Sequence, residues 1–593
     1  MSTALTIPTF LPNKGISLDA PEELLLDQIS PYSRNMEYFN ELIQGRTGLT
    51  KFSATALTGR VMLQFRFVRA NQNAYNLIFT TTDIYAIDFS NSRFDYLTPV
   101  YTTGTIEIQA GTPTIVRGTG TSWSSSNVKA GDFIKIGSGS VHTGSTWYEV
   151  LSLNAGTQQI TLTSSAATVG AGSAYVLRQT YTGGNTGFWT CTKFTDSSLG
   201  DIVVATNGVD VPIYTTGAAA AVQLTGLIST MKAKYVNSFA ERLVFSWTVE
   251  GGSNQPERYR WSDVANANSY QTIDFEDLID DGTGITGAIK HGAYLIITKE
   301  RVFYAIRPVN GSAIFDSERA SAPQGCKSHR SLVVDKQWLY YYCLDKKFHR
   351  WNLVTDQIIS EGQFEESRNF DPNLELYITG SNFYHKNQIR WFCPLSSSTY
   401  QNVAFVFDYK NESMNIWPYA SEQALLSVGN YLLQSDIYFD DATWGEYYFD
   451  ERVEYFDDVT FLSNAPVFTY GGYDGYIRIA DSGATDDGSS YTRVLRIKRL
   501  NFQLPQIKKR LWKQQYWFEQ QTGGSVSISV YLDDAISANA VGTLDLEDST
   551  KDVVKLTQTV DLHGKVFQIE ISATSFFALI GFLSFIFPKR RSF

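Results

Sequence analysis

Phe405-Val-Phe-Asp-Tyr-Lys-Asn-Glu-Ser-Met-Asn-Ile-Trp-Pro418 has the pattern of two short strands around a polar turn. β-Branched or aromatic residues stand on both sides, and Asp, Lys, Asn, Glu and Ser occupy the centre. The same pattern returns at residues 85–97, 303–315 and 348–359. The chain therefore repeats one β-hairpin along much of its length.

The spacing of such hairpins predicts the fold. A further apolar strand precedes each of them. The turn centres near residues 217, 266, 310, 355 and 411 follow one another at intervals of roughly 45 to 55 residues, the length of one four-stranded propeller blade. The predicted fold class is mostly β: a six- or seven-bladed β-propeller with an inserted small β-barrel and a C-terminal β-sandwich. The blade count stays open because the repeat blurs over residues 421–470.

Four regions are expected from changes in composition. Residues 1–52 form a lead-in that includes a ring-closing strand, and residues 53–100 and 181–485 form the propeller. Residues 101–180, rich in Gly, Ser and Thr, form the inserted barrel, and residues 486–593 form the sandwich. Residues 21–29 and 34–44 are expected to be helical, and Asn207-Gly208 is expected to form a two-residue hairpin turn.

The totals limit the function classes. The 593 residues are 43% hydrophobic and 18% charged, as in a globular protein rather than a disordered one. The net charge of -11 disfavours a general nucleic-acid binder, which is usually basic, but allows a surface past which DNA slides. The amino terminus lacks the charged and apolar regions of a signal peptide, so synthesis and folding in a cytoplasm are expected.

No catalytic, cofactor or metal site is predicted. The cysteines have no paired spacing and are expected to be buried free thiols, and the six histidines are scattered without a metal-binding pair. The acidic stretch 436–458 could supply the two carboxylates of a glycosidase, but a solvated loop or an acidic lining is the favoured interpretation. The cysteines are Cys191, Cys326, Cys343 and Cys393.

Several strings resemble one known family, the propeller-type tail hub and nozzle (tail tubular) proteins of short-tailed, podovirus-like bacteriophages. The lead-in places a glycine, a proline-led segment and an asparagine before Gly45-Arg-Thr-Gly48. The blades carry Thr206-Asn-Gly-Val-Asp-Val-Pro212 and Arg258-Tyr-Arg-Trp-Ser-Asp263. The closest match is the succession Asp486-Asp-Gly488, Arg499-Leu-Asn-Phe502 and Lys508-Lys-Arg-Leu-Trp512.

The resemblance implies a structural virion protein and not an enzyme. It implies a homohexameric ring below the portal and adaptor proteins, continuing the DNA-ejection channel and carrying tail fibres or spikes outside. Contact with viral double-stranded DNA would be transient and non-specific, since net negative walls avoid phosphate pairing. Candidate channel-lining residues are Asp436, Asp440, Asp441, Asp450, Glu451 and Glu454. Candidate subunit-contact residues are Arg493, Arg496, Lys498, Arg499, Lys508, Lys509 and Arg510.

Other interpretations stay open. A propeller-type polysaccharide depolymerase or a glycan-binding lectin on a phage tail is the alternative function. The basic and aromatic stretch 493–518 could bind nucleic acid, although a strand whose charged face meets an acidic neighbour is favoured. The apolar run 576–587 is too short to cross a bilayer as a helix, so a buried closing strand is preferred to a membrane-contacting tip, and no stable membrane insertion is expected.

Overall fold

The computed structural model describes residues 5–9, 11–39, 42–88, 93–139, 141–309, 314–321, 323–395, 398–420, 425–432, 466–533, 535–547 and 552–588. Its regular structure is mostly β, arranged as many small antiparallel sheets. The helices are α1 (Phe364–Ser367) and the single 3-10 turns Ile228–Thr230, His329–Ser331, Glu361–Gln363, Glu375–Tyr377 and Tyr384–Lys386. None of the described helices is long and apolar enough to cross a membrane.

The first part of the chain contains an amino-terminal segment, one four-stranded sheet and an insertion. The amino-terminal strands are β1 (Leu5–Thr9), β2 (Tyr32–Arg34), β3 (Met36–Phe39), β4 (Leu42–Gly45) and β5 (Thr50–Lys51). The sheet consists of β6 (Val61–Val68), β7 (Ala74–Thr80), β8 (Ile84–Asp88) and β9 (Arg93–Tyr96). The insertion contains β10 (Val100–Tyr101), β11 (Thr105–Ile108), β12 (Ile115–Thr119), β13 (Phe133–Ile136), β14 (Tyr148–Asn154), β15 (Gln159–Leu162), β16 (Val169–Ser173) and β17 (Tyr175–Arg178).

Five further four-stranded sheets follow in order, each a meander of consecutive strands. The first sheet consists of β18 (Thr190–Asp196), β19 (Gly200–Thr206), β20 (Ile213–Thr215) and β21 (Val222–Gln223). The second consists of β22 (Lys232–Phe239), β23 (Arg242–Glu250), β24 (Ser253–Trp261) and β25 (Phe275–Asp277). The third consists of β26 (Ile285–His291), β27 (Tyr294–Lys299), β28 (Phe303–Pro308) and β29 (Phe315–Arg319). The fourth consists of β30 (Val333–Asp335), β31 (Trp338–Tyr342), β32 (Phe348–Trp351) and β33 (Asp356–Ile358). The last is β34 (Thr379–Phe383), β35 (Gln388–Cys393), β36 (Val403–Asp408) and β37 (Ser413–Pro418).

The remaining strands complete one more small sheet and the carboxy-terminal part. They are β38 (Leu425–Leu432), β39 (Pro466–Gly472), β40 (Ile477–Ile479), β41 (Arg493–Arg496), β42 (Lys509–Glu519), β43 (Ser525–Leu532), β44 (Asn539–Asp545), β45 (Val553–Gly564), β46 (Phe567–Ala573) and β47 (Ala578–Pro588). Strands β38, β39 and β40 form a sheet whose fourth strand is β5, because Arg478 and Ile479 pair with Lys51 and Thr50.

Seven four-stranded sheets of the described residues are arranged in a propeller-like ring. The first strands of successive sheets contact one another, directly or through the 3-10 turn at His329–Ser331, and β38 of the last sheet contacts β6 of the first. Strands such as β35 and β36 are buried throughout, as expected for sheets covered on both faces by neighbouring sheets. We call these seven sheets the ring.

The insertion is one eight-stranded sheet with the order β10-β17-β13-β14-β15-β12-β11-β16. It has its own core, which includes Trp123, Ile134 and Ile160. No pairing joins the end strands β10 and β16 among the described residues, so the closed barrel expected from the sequence is replaced by an open sheet. Short alternating strands fit either arrangement, because alternation specifies a core face and not closure.

The carboxy-terminal strands form two sheets that share one hydrophobic core. One sheet has the order β3-β4-β47-β42-β45, with β1 also paired to β47, and the other has the order β2-β41-β46-β43-β44. Both sheets therefore contain strands from the amino-terminal segment. We call this two-sheet body the sandwich, and strand β47, from the apolar run, is paired along both edges within it.

Three local expectations were wrong. Residues 21–29 form turns, and β3 pairs with β4, with Met36 and Ile43 facing the sandwich core. Tertiary pairing with β47 decides this segment over its local helical pattern. Asn207 does not begin a two-residue turn: its Oδ1 accepts hydrogen bonds from the amides of Val209 and Asp210, and the connection to β20 extends to residue 212.

Candidate functional site

The acidic residues predicted to line a channel lie outside the described residues. They are Asp436, Asp440, Asp441, Asp450, Glu451 and Glu454. Their role stays a prediction.

The basic residues predicted to contact other subunits lie on the sandwich, where most of their charge meets acidic side chains of the same chain. Three of these acids belong to the amino-terminal segment that was expected to be helical. The ion pairs are Arg496–Glu570 at 2.6 Å, Lys498–Asp27 at 2.5 Å, Arg499–Glu22 at 2.9 Å, Arg499–Glu23 at 2.6 Å and Arg510–Asp561 at 2.5 Å. The acidic neighbour favoured by the sequence is thus present within the chain.

Two members of this set are buried. Arg493 donates hydrogen bonds to the carbonyls of Arg46 and Thr574, and Lys509 donates to the carbonyls of Leu504 and Ile507. These two side chains hold backbone segments together inside the fold. Lys508 is exposed, and the Arg510 side chain is 41% exposed, so these two are the most accessible of the predicted subunit-contact residues.

Two of the quoted motifs, Gly45-Arg-Thr-Gly48 and Asp486-Asp-Gly488, meet in the structure although they lie more than 400 residues apart in sequence. The Arg46 guanidinium donates hydrogen bonds of 2.8 and 2.6 Å to the two carboxylate oxygens of Asp486 and a third bond to Asn35. It also lies over the rings of Tyr491, at 3.7 Å, and Tyr419, at 4.5 Å. The pair is almost completely buried, with side-chain exposures of 1% and 3%. It joins the amino-terminal segment to the start of the sandwich.

Gly48 of the same motif lies against the backbone at residue 485. Its amide donates to the Gly483 carbonyl, and a Cβ added at Gly48 would fall well inside the van der Waals radius of the Thr485 carbonyl oxygen. Because the atoms nearest to this Cβ belong to the backbone of Thr485, they cannot rotate away as a flexible side chain would. The absence of a side chain at Gly48 therefore permits this contact between distant parts of the chain.

We expect Gly48→Ala to lower the free energy of unfolding by about 1–3 kcal/mol, because the methyl group forces a backbone shift in a packed region. Urea unfolding followed by tryptophan fluorescence measures the change. Gly111→Ala is the matched control, since nothing lies near its added Cβ. Equal stabilities of the two variants would contradict the close approach at residue 48.

A second buried charge network lies beside the first and joins the amino-terminal segment to two ring sheets. Glu37 accepts hydrogen bonds from Lys386 and Gln388, both at 3.1 Å. Lys386 also lies 3.4 Å from Asp481, which forms a 3.0 Å ion pair with Arg390. We call Glu37, Lys386, Arg390 and Asp481 the junction network. Its charges alternate in sign, so each buried ion has a counter-ion within about 4 Å.

The junction network determines how the free energy of unfolding changes with pH. Burial by itself would raise the pKa of Asp481, but Arg390 and Lys386 outweigh burial and hold the pKa well below its usual range. The stabilisation from the ionised carboxylate is fully present above the unfolded-state pKa of about 3.9 and is lost as the pH falls further. We expect Asp481→Asn to be several kcal/mol less stable than the natural protein at pH 7, and this gap to shrink below pH ~4. Urea unfolding at a series of pH values measures it, and a gap independent of pH would contradict the depressed pKa.

One outward face of the sandwich carries a row of large apolar side chains. Trp512 is 37% exposed and Ile580 is 38% exposed. The other members are half-buried, and Lys513 Nζ lies 4.9 Å from the Trp512 ring and 4.4 Å from the Phe585 ring. We call this surface the aromatic face; its residues are Trp512, Trp517, Ile580, Leu583, Phe585 and Phe587. The closing strand expected from the apolar carboxy-terminal run is therefore fully buried on its inward face and half-buried or exposed on the other, which corrects the expectation that the strand as a whole is buried.

A cavity of about 270 Å³ lies inside the ring, and residues of all seven ring sheets or their leading turns line it. Its titratable members among the described residues are Cys191, His329 and Arg330. Burial lowers the pKa of His329 to about 3, so the imidazole is neutral, and lowers the pKa of Arg330 to about 10. Arg330 Nη2 donates to the Leu426 carbonyl, while Nη1 is buried without a partner among the described residues. This cavity can hold ordered water or a small anion.

The hairpin between β31 and β32 brings together a cysteine, an aspartate and a histidine. Cys343, Asp345 and His349 place one ligand atom each within 4.8 Å of one another. His349 is bonded on both sides, by Nε2 to Asp345 at 3.1 Å and by Nδ1 to Asp356 at 2.9 Å. Burial lowers the pKa of His349, but the two carboxylates outweigh it and raise the pKa to about 9. The signal in the sequence was the local spacing Cys-x-Asp-x-x-x-His, which a search for pairs of histidines or pairs of cysteines misses.

The four cysteines are free thiols, of which Cys326, Cys343 and Cys393 are buried, as predicted, and Cys191 is half-buried. Burial raises the pKa of Cys326 to about 11 and that of Cys343 to about 12. These thiols are protonated at neutral pH unless a metal ion replaces the proton.

Comparison with known proteins identifies no family. No family model matches the chain, and no curated protein matches it. Among solved structures, the computationally designed Ika8 protein is 10% identical, covers 73% of this chain and 99% of its own, and has a TM-score of 0.33. The Neurospora crassa Pan2 WD40 domain is 6% identical, covers 64% and 90%, and has a TM-score of 0.29. An exo-beta-1,3-galactanase from Phanerochaete chrysosporium is 8% identical, covers 82% and 99%, and has a TM-score of 0.21.

Proposed function

We propose that this protein is a structural component of a short-tailed phage virion: the tail hub or nozzle, a homohexameric ring that continues the DNA-ejection channel and carries fibres or spikes. Its body would be a seven-bladed β-propeller with an inserted β-sheet domain and a carboxy-terminal β-sandwich. The sequence resemblance supplies the kind of assembly. The observation that carries the proposal in three dimensions is the aromatic face, an apolar surface suited to contact between subunits.

The chemistry of the aromatic face supports this use. Aromatic residues are enriched in the cores of protein interfaces. A contiguous group of exposed large apolar side chains often marks a surface that contacts another protein. The cations Lys513 and Lys555 lie over the Trp512 and Trp517 rings, so the face combines apolar surface with positive charge. A contact made here would bury aromatic surface together with the aliphatic stems of the lysines.

The buried networks at the junction support a load-carrying role. The Arg46–Asp486 pair and the junction network tie the amino-terminal segment to both the ring and the sandwich. A part of a channel through which a genome leaves has to keep its shape under force. Buried ion pairs resist separation, because pulling them apart leaves a charge without a partner in a region of low dielectric. The net charge of -11 also suits passage of DNA without adhesion.

The oligomeric state tests the proposal. We expect the purified protein, or the protein mixed with its adaptor, to form six-copy rings by mass measurement and electron microscopy. Trp512→Glu combined with Phe585→Glu should release single chains of 66.5 kDa that keep their fold, because two charges would be buried in the interface. Val354→Glu is the control, since this exposed side chain lies in a ring hairpin.

Three outcomes would count against the proposal. One is a protein that stays a single chain with and without the adaptor, and another is a ring that the double variant leaves intact. The third is shortening of capsule or lipopolysaccharide chains by the purified protein, lost on replacing one carboxylate, which would favour the depolymerase instead.

A further inference from the structure

We propose that Cys343, Asp345 and His349 form a binding site for one divalent transition-metal ion, for which zinc is the best match. The three residues lie within seven positions of the chain, at the turn between β31 and β32 of the fifth ring sheet. Their ligand atoms, a thiol sulfur, a carboxylate oxygen and an imidazole nitrogen, all lie within 4.8 Å of one another. The site is independent of the proposed assembly, since none of its members belongs to the aromatic face.

The spacing of the two harder ligands already fits a metal ion. His349 Nε2 lies 3.1 Å from Asp345 Oδ2. In a tetrahedral zinc site with Zn–N and Zn–O bonds of about 2.0–2.1 Å, neighbouring N and O ligand atoms stand about 3.3 Å apart. The backbone of the hairpin therefore holds these two atoms close to the required separation. The Cys343 sulfur completes three of the four positions after a side-chain adjustment of about 1 Å.

Asp356 and Tyr341 orient the His349 imidazole in the way that outer residues orient histidine ligands in metal sites. Asp356 Oδ2 lies 2.9 Å from His349 Nδ1, and Asp356 Oδ1 accepts a hydrogen bond from the Tyr341 hydroxyl at 2.9 Å. A histidine that binds a metal usually donates its other ring N–H to a carboxylate or carbonyl, which fixes the tautomer and the ring orientation. The chain of Tyr341, Asp356 and His349 thus presents Nε2 toward Asp345 and Cys343.

The ligand set selects the kind of metal. A thiolate and an imidazole favour zinc or another late transition ion over Mg²⁺ or Ca²⁺, which prefer oxygen ligands only. On binding, the ion replaces the thiol proton of Cys343 and any proton on His349 Nε2, and these protons pass to the solvent. Asp345 has a 30% exposed side chain, which gives the ion a path from solvent and leaves room for a water in the fourth position.

Cobalt substitution tests the site on the full-length protein. The chain is treated with a chelator, dialysed and titrated with Co²⁺, and the visible bands of a tetrahedral ion and the near-ultraviolet cysteine-to-cobalt band are recorded. Zinc bound after dialysis is counted by mass spectrometry of the metal. We expect one ion per chain, both spectral features, and displacement of Co²⁺ by Zn²⁺.

Variants assign the ligands. Cys343→Ser should abolish the cysteine-to-cobalt band and weaken binding at least tenfold, as should His349→Gln. Cys326→Ser is the matched control, because Cys326 is a buried free thiol in the same apolar cluster but outside the ligand group, and it should keep the band. Circular dichroism of the metal-free variants checks their fold. If His349→Gln does not fold, Asp345→Asn takes its place, with weaker binding and altered visible bands expected.

Two results would overturn the inference. One is a natural protein that binds neither Co²⁺ nor Zn²⁺ at 100 times the protein concentration, in which case the three groups serve only to hold a buried imidazolium. The other is a cobalt band that survives Cys343→Ser at full intensity, which would place the ion elsewhere.

Discussion

Replacing Arg46 by methionine is expected to lower the free energy of unfolding by about 3–5 kcal/mol, the cost of breaking a buried ion pair from one side. Methionine keeps most of the volume of the aliphatic stem but removes the guanidinium that binds both oxygens of Asp486. Asp486 is buried, so its charge loses these two bonds in a region that water does not reach. The stacking of the cation on Tyr491 and Tyr419 disappears as well.

The control for this variant is Arg307→Met. Arg307 forms a 2.7 Å pair with Asp316, but the two side chains are 52% and 47% exposed. Exposed pairs contribute about 0–1 kcal/mol, since water competes for both charges. Urea unfolding of the two variants beside the natural protein measures the difference. Equal losses at the buried and the exposed pair would mean that the Arg46 pair does not hold the chain ends together.

Two deletions of unequal length are expected to differ strongly in their effect on folding. We expect removal of residues 1–52 to abolish cooperative unfolding and give an aggregating protein, whereas excision of residues 102–176 should leave a folded one. The shorter deletion is the more damaging because it removes strands from three sheets. Strand β5 completes the seventh ring sheet, β1, β3 and β4 pair within one sandwich sheet, and β2 pairs within the other. Unpaired edges and an uncovered core would follow.

The inserted sheet has its own hydrophobic core, although it also contacts the first ring sheet through backbone hydrogen bonds at residues 141 and 143. Its hydrophobic cluster consists of residues between Tyr101 and Leu177 only. Those two residues pair across β10 and β17, so their Cα atoms lie about 5 Å apart. In the deletion variant, a short Gly-Ser linker can therefore connect them. Arg178, beyond the cut, keeps its 3.2 Å pair with Asp83 and its contact with the Tyr96 ring. The buried Asp83–Arg178 pair at the edge of the ring therefore stays in place, and the contacts of Arg178 with the Phe133 and Trp147 rings are what the excision removes.

Thermal unfolding followed by circular dichroism compares the two deletions. The excised protein should melt in one transition, at a somewhat lower temperature than the natural chain. A cooperative transition in the protein without residues 1–52, or none in the excised protein, would contradict the roles assigned to these segments.

The repeating hairpin made the ring sheets predictable from sequence, because alternating apolar residues and polar turns are local signals. Ring closure is not local. Strand β5 has two residues, and its partner Arg478 lies more than 400 residues away. The Arg46–Asp486 pair likewise joins residues 440 positions apart. A charged residue in sequence looks exposed until its counter-ion is known, and most partners of the basic residues between 493 and 510 lie within the chain. A role of these residues in subunit contact stays a prediction.

Two errors have a similar origin. The segment around Met36 and Ile43 has spacing that fits a helix face, but pairing of β4 with β47 makes it a hairpin. The alternating strands of residues 101–180 indicated a core but not whether the sheet closes. The cluster at His349 has a different origin: it contains one thiol, one carboxylate and one imidazole, so no repeated spacing of a single ligand type marks it in the sequence.

The placement of β5 also sets the timing of folding during translation. The strand emerges from the ribosome early, yet its partner β40 follows more than 400 residues later, and β47, which pairs with β1 and β4, follows later still. At ~5–20 residues per second, these edges wait on the order of a minute for their partners. The nascent polypeptide therefore completes these sheets only once β40 and β47 have been made, and chaperones that shield unpaired strands would raise the yield of native protein.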